Sequence, residues 1–264
     1  VYKILSKCKC GDLSKKQEMT ITKHIPNTIT CGNLFCGCLA IAAAFKGDVI
    51  VATYLVGIAA VLDFFDGFAA RMLHVKSEIG KQLDSLADMV TFGVVPGVIM
   101  YVLFLKGLPV NADGAMETGN ETELFPQWLV YSGFLISIFS ALRLAKFNVD
   151  ERQTDLFIGL PTPANALLIC SLPLIENFQP QLFGYDALQH IHNPWFLLGL
   201  TVVSSYLMVA ELPLFSFKFK NFAWSDNKIR FTFIFVAIFL LLFFKFIALP
   251  FIILLYILLS AFNN

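Results

Sequence analysis

Eight long uncharged runs succeed one another along this chain, and they limit its fold more than any other feature. They cover residues 28–45, 49–62, 89–105, 127–142, 156–175, 193–210, 231–244 and 246–264. A helix needs about 20 apolar residues to cross the hydrocarbon of a bilayer, and several runs reach that length by passing one flanking charge. No alternating apolar–polar pattern persists, which excludes a regular soluble sheet. The expectation is an all-α polytopic membrane protein, with helices near 28–46, 49–74, 83–106, 127–147, 158–176, 194–213, 229–245 and 248–262. Composition agrees: 57% of the residues are hydrophobic and 14% charged, against roughly 25% charge in a soluble domain.

The basic residues are distributed unevenly between the two sides of this topology. With the N-terminus in the cytoplasm, the inner side collects Lys3, Lys7, Lys9, Lys15, Lys16 and Lys23 from the tail and Arg71, Lys76 and Lys81 after helix 2. It also collects Arg143, Lys146 and Arg152 after helix 4, and Lys218, Lys220, Lys228 and Arg230 after helix 6. Of the 19 basic residues, only Lys46, Lys106 and Lys245 fall outside. The outer loops carry Asp113, Glu117, Glu121, Glu123, Glu176 and Asp186 instead. Basic residues are retained on the cytoplasmic side of membranes, so both termini are expected there, with an even number of spans. The organisation is then a basic tail over 1–24, a membrane domain over 25–215, and a basic loop with a C-terminal transmembrane hairpin over 216–264. No cleavable signal peptide is expected, because a polar Lys-rich stretch precedes the first apolar run. Residues 1–18, ahead of Met19, read as an upstream extension. Net charge is zero and nothing favours nucleic acid as a partner. Cys8 and Cys10 form a C-x-C with no second ligand pair, and His190 and His192 have no partners at metal spacing, so neither reads as a zinc site.

Carboxylates inside spanning helices cost about 2.5–3.5 kcal/mol each to insert and are functional by default. Helices 2 and 3 carry four: Asp63, Asp66, Asp84 and Asp88. Asp63 and Asp66 share a helix face at i, i+3, and Asp84 and Asp88 share one at i, i+4. The two helices form a hairpin turning near residue 75. Asp63 and Asp88 are equally far from that turn, as are Asp66 and Asp84, so each pair lies at one depth. The outer pair is on the order of 15 Å in from the turn. Four clustered carboxylates need cations, and Arg71 offsets one charge. An all-oxygen donor set suits Mg²⁺ or Mn²⁺, and two such ions balance four aspartates. Gly67 and Gly80 leave room for a bulky ligand to approach the backbone. The competing account makes the aspartates helix caps or partners of Arg71, which leaves Asp63 and Asp88 unexplained.

Written out from Asp63, the segment contains D-x2-D-G-x2-A-R-x8-G-x3-D-x3-D without a gap or substitution. This resembles the signature of the CDP-alcohol phosphatidyltransferase family, and the hydropathy profile extends the resemblance over residues 20–215. The resemblance implies a six-helix membrane core, to which this chain adds its C-terminal hairpin, and a reaction displacing CMP from a CDP-linked lipid by an alcohol. It implies that Asp63, Asp66 and Asp84 are metal ligands, with Asp88 near the two Mg²⁺ or Mn²⁺ ions as general base. It implies that Gly67, Ala70, Arg71, Ser77 and Gly80 contact the CDP-lipid, with Arg71 on phosphate. The stretch I-P-N-T-I-T-C-G-N at 25–33 resembles the family's entry to helix 1, where Asn27 and Thr30 line the nucleotide pocket or serve as turn and cap residues. Homodimers in a prokaryotic cytoplasmic membrane, with the site facing the cytoplasm, are implied as well.

Three further runs, M-V-T-F-G-V-V-P after Asp88, A-L-R-L-A-K-F-N ending helix 4 and G-L-P-T-P-A-N-A opening helix 5, resemble the membrane-spanning branch of the family that uses L-serine with CDP-diacylglycerol. That branch makes Arg143 and Lys146 candidates for the serine carboxylate, or else positive anchors at a helix end. Lys146 stands where many relatives have arginine. Glycerol phosphate and inositol phosphate are the rival acceptors, and both would favour more basic residues in the inner pocket. A cation transporter is the rival of a different class, but its carboxylates would be staggered across the membrane rather than gathered at one end.

Overall fold

A computed structural model describes residues 2–75, 77–108, 126–149, 157–182, 185–214 and 224–263 of the chain. Lys76, Arg152, Lys218, Lys220 and the acidic outer-loop residues from Asp113 to Glu123 lie outside the described residues. Helices dominate, and each of the eight expected apolar segments forms one. The order is α1 (Tyr2–Phe45), α2 (Val49–Met72), α3 (Glu78–Asp88), α4 (Val95–Gly107), α5 (Leu135–Val149), α6 (Thr162–Phe178), α7 (Leu188–Ile191), α8 (Pro194–Val209), α9 (Trp224–Phe244) and α10 (Ala248–Asn263). Among the described residues, five helical stretches are long and apolar enough to cross a membrane: His24–Phe45, Val49–Met72, Glu78–Gly107, Trp128–Val149 and Arg230–Ser260. Pro194–Val209 is apolar but shorter. Large apolar side chains such as Phe64, Ile138, Val203 and Leu242 are more than half exposed on the helix exteriors, as the lipid-facing surface of an integral membrane protein requires.

Several expected boundaries are corrected. The first helix does not begin at residue 28: α1 runs unbroken through Pro26. Proline lacks the N–H that would bond the carbonyl four residues earlier, and membrane helices tolerate that loss. Farther along, Thr28 Oγ1 donates to the His24 carbonyl at 2.8 Å, and Thr30 Oγ1 lies 3.0 Å from the Pro26 carbonyl. The third helix begins at Glu78 rather than 83, capped by Ser77, whose Oγ accepts from the Gly80 amide. It is then interrupted by a π-helical turn, Met89–Val94, immediately after Asp88. Such turns add a residue to the helical repeat and recur at functional sites. The fifth segment starts at Thr162, because Phe157–Ile158 forms a two-residue strand β1. The sixth ends at Val209, and Pro213–Leu214 forms β4, antiparallel to β1. A second short pair joins β2 (Gln181–Leu182) and β3 (Tyr185–Asp186).

Small residues let the first two helices pack closely. Ala40, Ala44, Val49, Ala52, Val56 and Ala59 are fully or nearly fully buried, the pattern that drives helix association where no hydrophobic effect operates between spans. Gly47 at φ +87° ends α1 in the left-handed conformation that favours glycine. Around this pair the core fills with Phe92, Ile99, Met100, Leu103, Phe104, Ile136, Ile169 and Leu197. At one end of the bundle, Lys106 pairs with Glu176 at 2.9 Å, and Glu176 also meets His192 at 3.4 Å. The turn between α9 and α10 docks on the end of α6 through Gln179: its Nε2 donates to the Phe244 carbonyl, and its Oε1 accepts from the Phe246 and Ile247 amides.

Candidate active site

The α2–α3 hairpin brings the four aspartates together beside α1. Oxygen atoms of Asp63, Asp66 and Asp84 all lie within 4.8 Å of one another. Asp88 joins them through Asp63, with which it is within hydrogen-bonding reach. Asp63 thus adjoins Asp88, and Asp66 adjoins Asp84, the two pairs named by the hairpin arithmetic. Asp66 does not use Arg71 as its partner. It is 6% exposed and accepts a 2.7 Å hydrogen bond from Thr30 Oγ1. The Thr30 hydroxyl has one proton and two neighbours, and the closer, charged oxygen is the stronger acceptor. Thr30 is therefore neither a turn nor a cap residue, since α1 already runs through it.

Next to the cluster lies a cavity of about 360 Å³ walled by α1, α2 and α3. Its lining includes Asn27, Thr30, Asp66, Gly67, Ala70, Ser77, Gly80 and Asp84. A Cβ added at Gly67 would meet nothing closer than Arg71 Nη2 at 3.8 Å, so a side chain there would occupy the cavity. At Gly80 a Cβ would come within 2.9 Å of Asn27 Oδ1, so glycine lets α3 approach α1. Arg71 is not among the lining residues. It is exposed and folds back on its own helix, Nε donating to the Gly67 carbonyl at 2.9 Å.

The two basic residues of the α5 motif separate. Lys146 is exposed. Arg143 is 7% exposed, its Nη1 lies 3.4 Å from Thr162 Oγ1, and its Nε has no hydrogen-bond partner among the described residues. It lies within electrostatic reach of Asp88, yet no ion pair joins the two among the described residues. Residue spacing alone did not single out Asn33. It is fully buried on α1, one turn after Thr30, and its Nδ2 donates to Asp88 Oδ1 at 3.4 Å while its Oδ1 is unpartnered among the described residues. The i, i+3 spacing from Thr30 was the available signal. Glu78 and Lys81 also line the cavity, and the Lys81 ammonium donates to the Asn148 carbonyl at the end of α5. Asn165, three residues after Thr162 on α6, is fully buried with both amide atoms unpartnered among the described residues.

The donor set is entirely oxygen, compact and anionic, so it fits a hard divalent cation and not a soft one. The CDP-alcohol phosphatidyltransferase profile matches residues 23–179. A Bacillus subtilis (strain 168) protein named CDP-diacylglycerol–serine O-phosphatidyltransferase is 34% identical over 195 residues, covering 74% of this chain and 92% of that one. A protein of the same name from Helicobacter pylori (strain J99) is 32% identical, covering 73% of this chain and 72% of its own length. The Methanocaldococcus jannaschii protein of that name is 28% identical over 202 residues, covering 73% and 86%. With more than half of its length matched by the family profile, and its four spaced aspartates folded into a single cluster, the chain belongs to the CDP-alcohol phosphatidyltransferase family of integral membrane enzymes.

Proposed function

We propose that this enzyme transfers the phosphatidyl group of CDP-diacylglycerol to the hydroxyl of L-serine, giving phosphatidylserine and CMP. The observation that carries this reading is the convergence of Asp63, Asp66 and Asp84 beside a cavity of nucleotide-accommodating size, with a buried arginine across from Asp88. Asp63, Asp66, Asp84 and Asp88 would hold two Mg²⁺ or Mn²⁺ ions. When bound, such ions supply positive charge to the pyrophosphate and stabilise the departing CMP.

The chain's own residues do the rest. Asn27, Gly67, Ala70, Ser77 and Gly80 shape the cavity for the cytidine diphosphate head, while the acyl chains stay in the lipid beside the exposed apolar helix faces. Arg71 sits at the rim, where its guanidinium can turn from the Gly67 carbonyl to phosphate. Thr30 fixes the Asp66 carboxylate. Asp88 takes the proton of the serine hydroxyl as that oxygen attacks phosphorus in line, and Asn33 holds the Asp88 carboxylate. Arg143, with an unpaired Nε in a buried setting, receives the serine carboxylate. Lys146 then serves as an anchor at the membrane surface. The one arginine buried among the described residues suits a carboxylate better than the doubly charged phosphate that glycerol phosphate or inositol phosphate would bring.

The reading also puts the site on the cytoplasmic side of a prokaryotic inner membrane, with both termini on that side and the enzyme a homodimer, as family resemblance implies. The test is acceptor competition. Purified enzyme in detergent receives CDP-diacylglycerol, a divalent cation and one alcohol at a time. CMP release with serine alone supports the assignment, and release driven by glycerol phosphate or inositol phosphate would replace serine as acceptor.

A further inference from the structure

None of the steps above uses Lys81. Among the described residues it is nevertheless the one basic side chain that lines the cavity between α1, α2 and α3. The charged side chains sharing that wall are all acidic: Asp66, Glu78 and Asp84. Arg71 is not part of the lining, because it folds back on the Gly67 carbonyl. Such a wall accepts an anionic head only where cations offset it. Divalent ions would balance the aspartates, but Glu78 and the phosphates of the donor itself add further negative charge. A lysine on the wall answers that need, since charge-assisted hydrogen bonds to phosphate are among the stronger ones.

A chain of hydrogen bonds sets where the Lys81 ammonium sits. Its Nζ donates to the Asn148 carbonyl at 3.3 Å, in the last turn of α5. Asn148 Nδ2 donates to Ser85 Oγ at 2.9 Å, and Ser85 Oγ donates in turn to the Lys81 carbonyl at 3.2 Å, one turn back along α3. The end of α5 is thereby tied to the turn of α3 that carries both Lys81 and Asp84. A lysine side chain has many rotamers, and a binding group works best when surrounding residues lock its own. The ammonium has three N–H donors and no acceptor. Among the described residues Asn148 engages one of them, which leaves the others for a ligand. The competing account makes Lys81 only a cap for the end of α5, where a cation is favourable. That account covers the Asn148 contact but not the position of the side chain on the cavity wall.

We propose that Lys81 binds the phosphates of the cytidine diphosphate head, and that Asn148, bonded to Ser85, is the positioning residue that holds it at the cavity. This rests on CDP-diacylglycerol being the donor. The test measures equilibrium binding of CDP-diacylglycerol with Mg²⁺ present, together with kcat and both KM values, for Lys81→Met, Lys81→Gln, Asn148→Ala and the Lys81→Gln/Asn148→Ala double variant. Lys81→Gln removes the charge but keeps a donor for the Asn148 carbonyl, so it separates phosphate binding from capping. Both lysine variants are expected to raise Kd and KM for CDP-diacylglycerol about tenfold, as loss of a hydrogen bond to a charged group does. Serine KM and kcat are expected to stay at the parental values. Asn148→Ala is expected to weaken donor binding about threefold in the parent and less than about 1.5-fold in the Lys81→Gln background. An unchanged Kd in Lys81→Gln would leave Lys81 as a cap and overturn the proposal, as would equal rises in the donor and serine constants. A full Asn148 effect in both backgrounds would overturn the positioning role. A parent that binds no CDP-diacylglycerol would instead overturn the donor reading, and the proposal with it.

Discussion

Replacing Thr30 with valine removes one hydroxyl and preserves shape, and the structure sets the size of the effect. Thr30 is 3% exposed and its Oγ1 donates to Asp66 Oδ2 at 2.7 Å. Hydrogen bonds to charged groups contribute about 1.5–3 kcal/mol. At about 1.4 kcal/mol per tenfold change, the loss corresponds to about 10- to 150-fold weaker retention of whatever cation Asp66 helps to hold. Outer partners of metal ligands typically cost about 10–100-fold when removed, which agrees. The assay is CMP release with CDP-diacylglycerol and serine in detergent, titrated with Mn²⁺ or Mg²⁺. Thr30→Val is expected to move the half-saturating metal concentration upward by that factor, with turnover recovering at saturating metal. Thr30→Ser, which keeps the donor, is expected to stay near the parent. A folded Thr30→Val enzyme with an unshifted metal requirement would refute the reasoning, because the 2.7 Å contact would then have no role in holding the carboxylate.

Four other substitutions probe the rest of the site. Asp88→Asn is expected to lower kcat by about 10²- to 10⁴-fold, the usual contribution of a general base, with CDP-diacylglycerol binding checked by product-inhibition or filter assays. Gly80→Ala pushes a Cβ to 2.9 Å from Asn27 Oδ1. Overpacking of this kind costs about 1–3 kcal/mol, read as a raised KM for CDP-diacylglycerol or a lowered melting temperature. Arg143→Ala is expected to cost about 2–5 kcal/mol in kcat/KM for serine, as truncating one member of a buried charged contact does. Lys146→Ala, at an exposed position, is expected to change that quantity by less than about 0.5 kcal/mol, and equal losses at the two positions would revive Lys146 as a substrate ligand.

How the fold could be read in advance varied by element. The spanning helices were legible because hydropathy is a property of each segment alone. The acidic quartet was legible because a hairpin has one geometric freedom, the position of its turn, and equal distances from that turn fix equal depth. The start of α1 lies before the first uncharged run, because hydropathy marks where a helix can enter lipid and not where the helix begins, and Pro26 does not stop it. The π turn at Met89–Val94 carries no mark in the residues themselves. It arises from how α1, α5 and α6 press on that stretch, with Ser137 Oγ donating to the Gly93 carbonyl.

By itself, then, the amino-acid sequence determined the membrane class, the family and the identity of the four clustered carboxylates, since each follows from local composition or from spacing along one hairpin. Only the tertiary structure decided that Thr30 serves Asp66, that Asn33 serves Asp88, and that Arg143 is buried while Lys146 faces outward. Those relations depend on the phase and crossing of helices that are distant in sequence, and no property of a single segment encodes which of its faces a remote neighbour will meet.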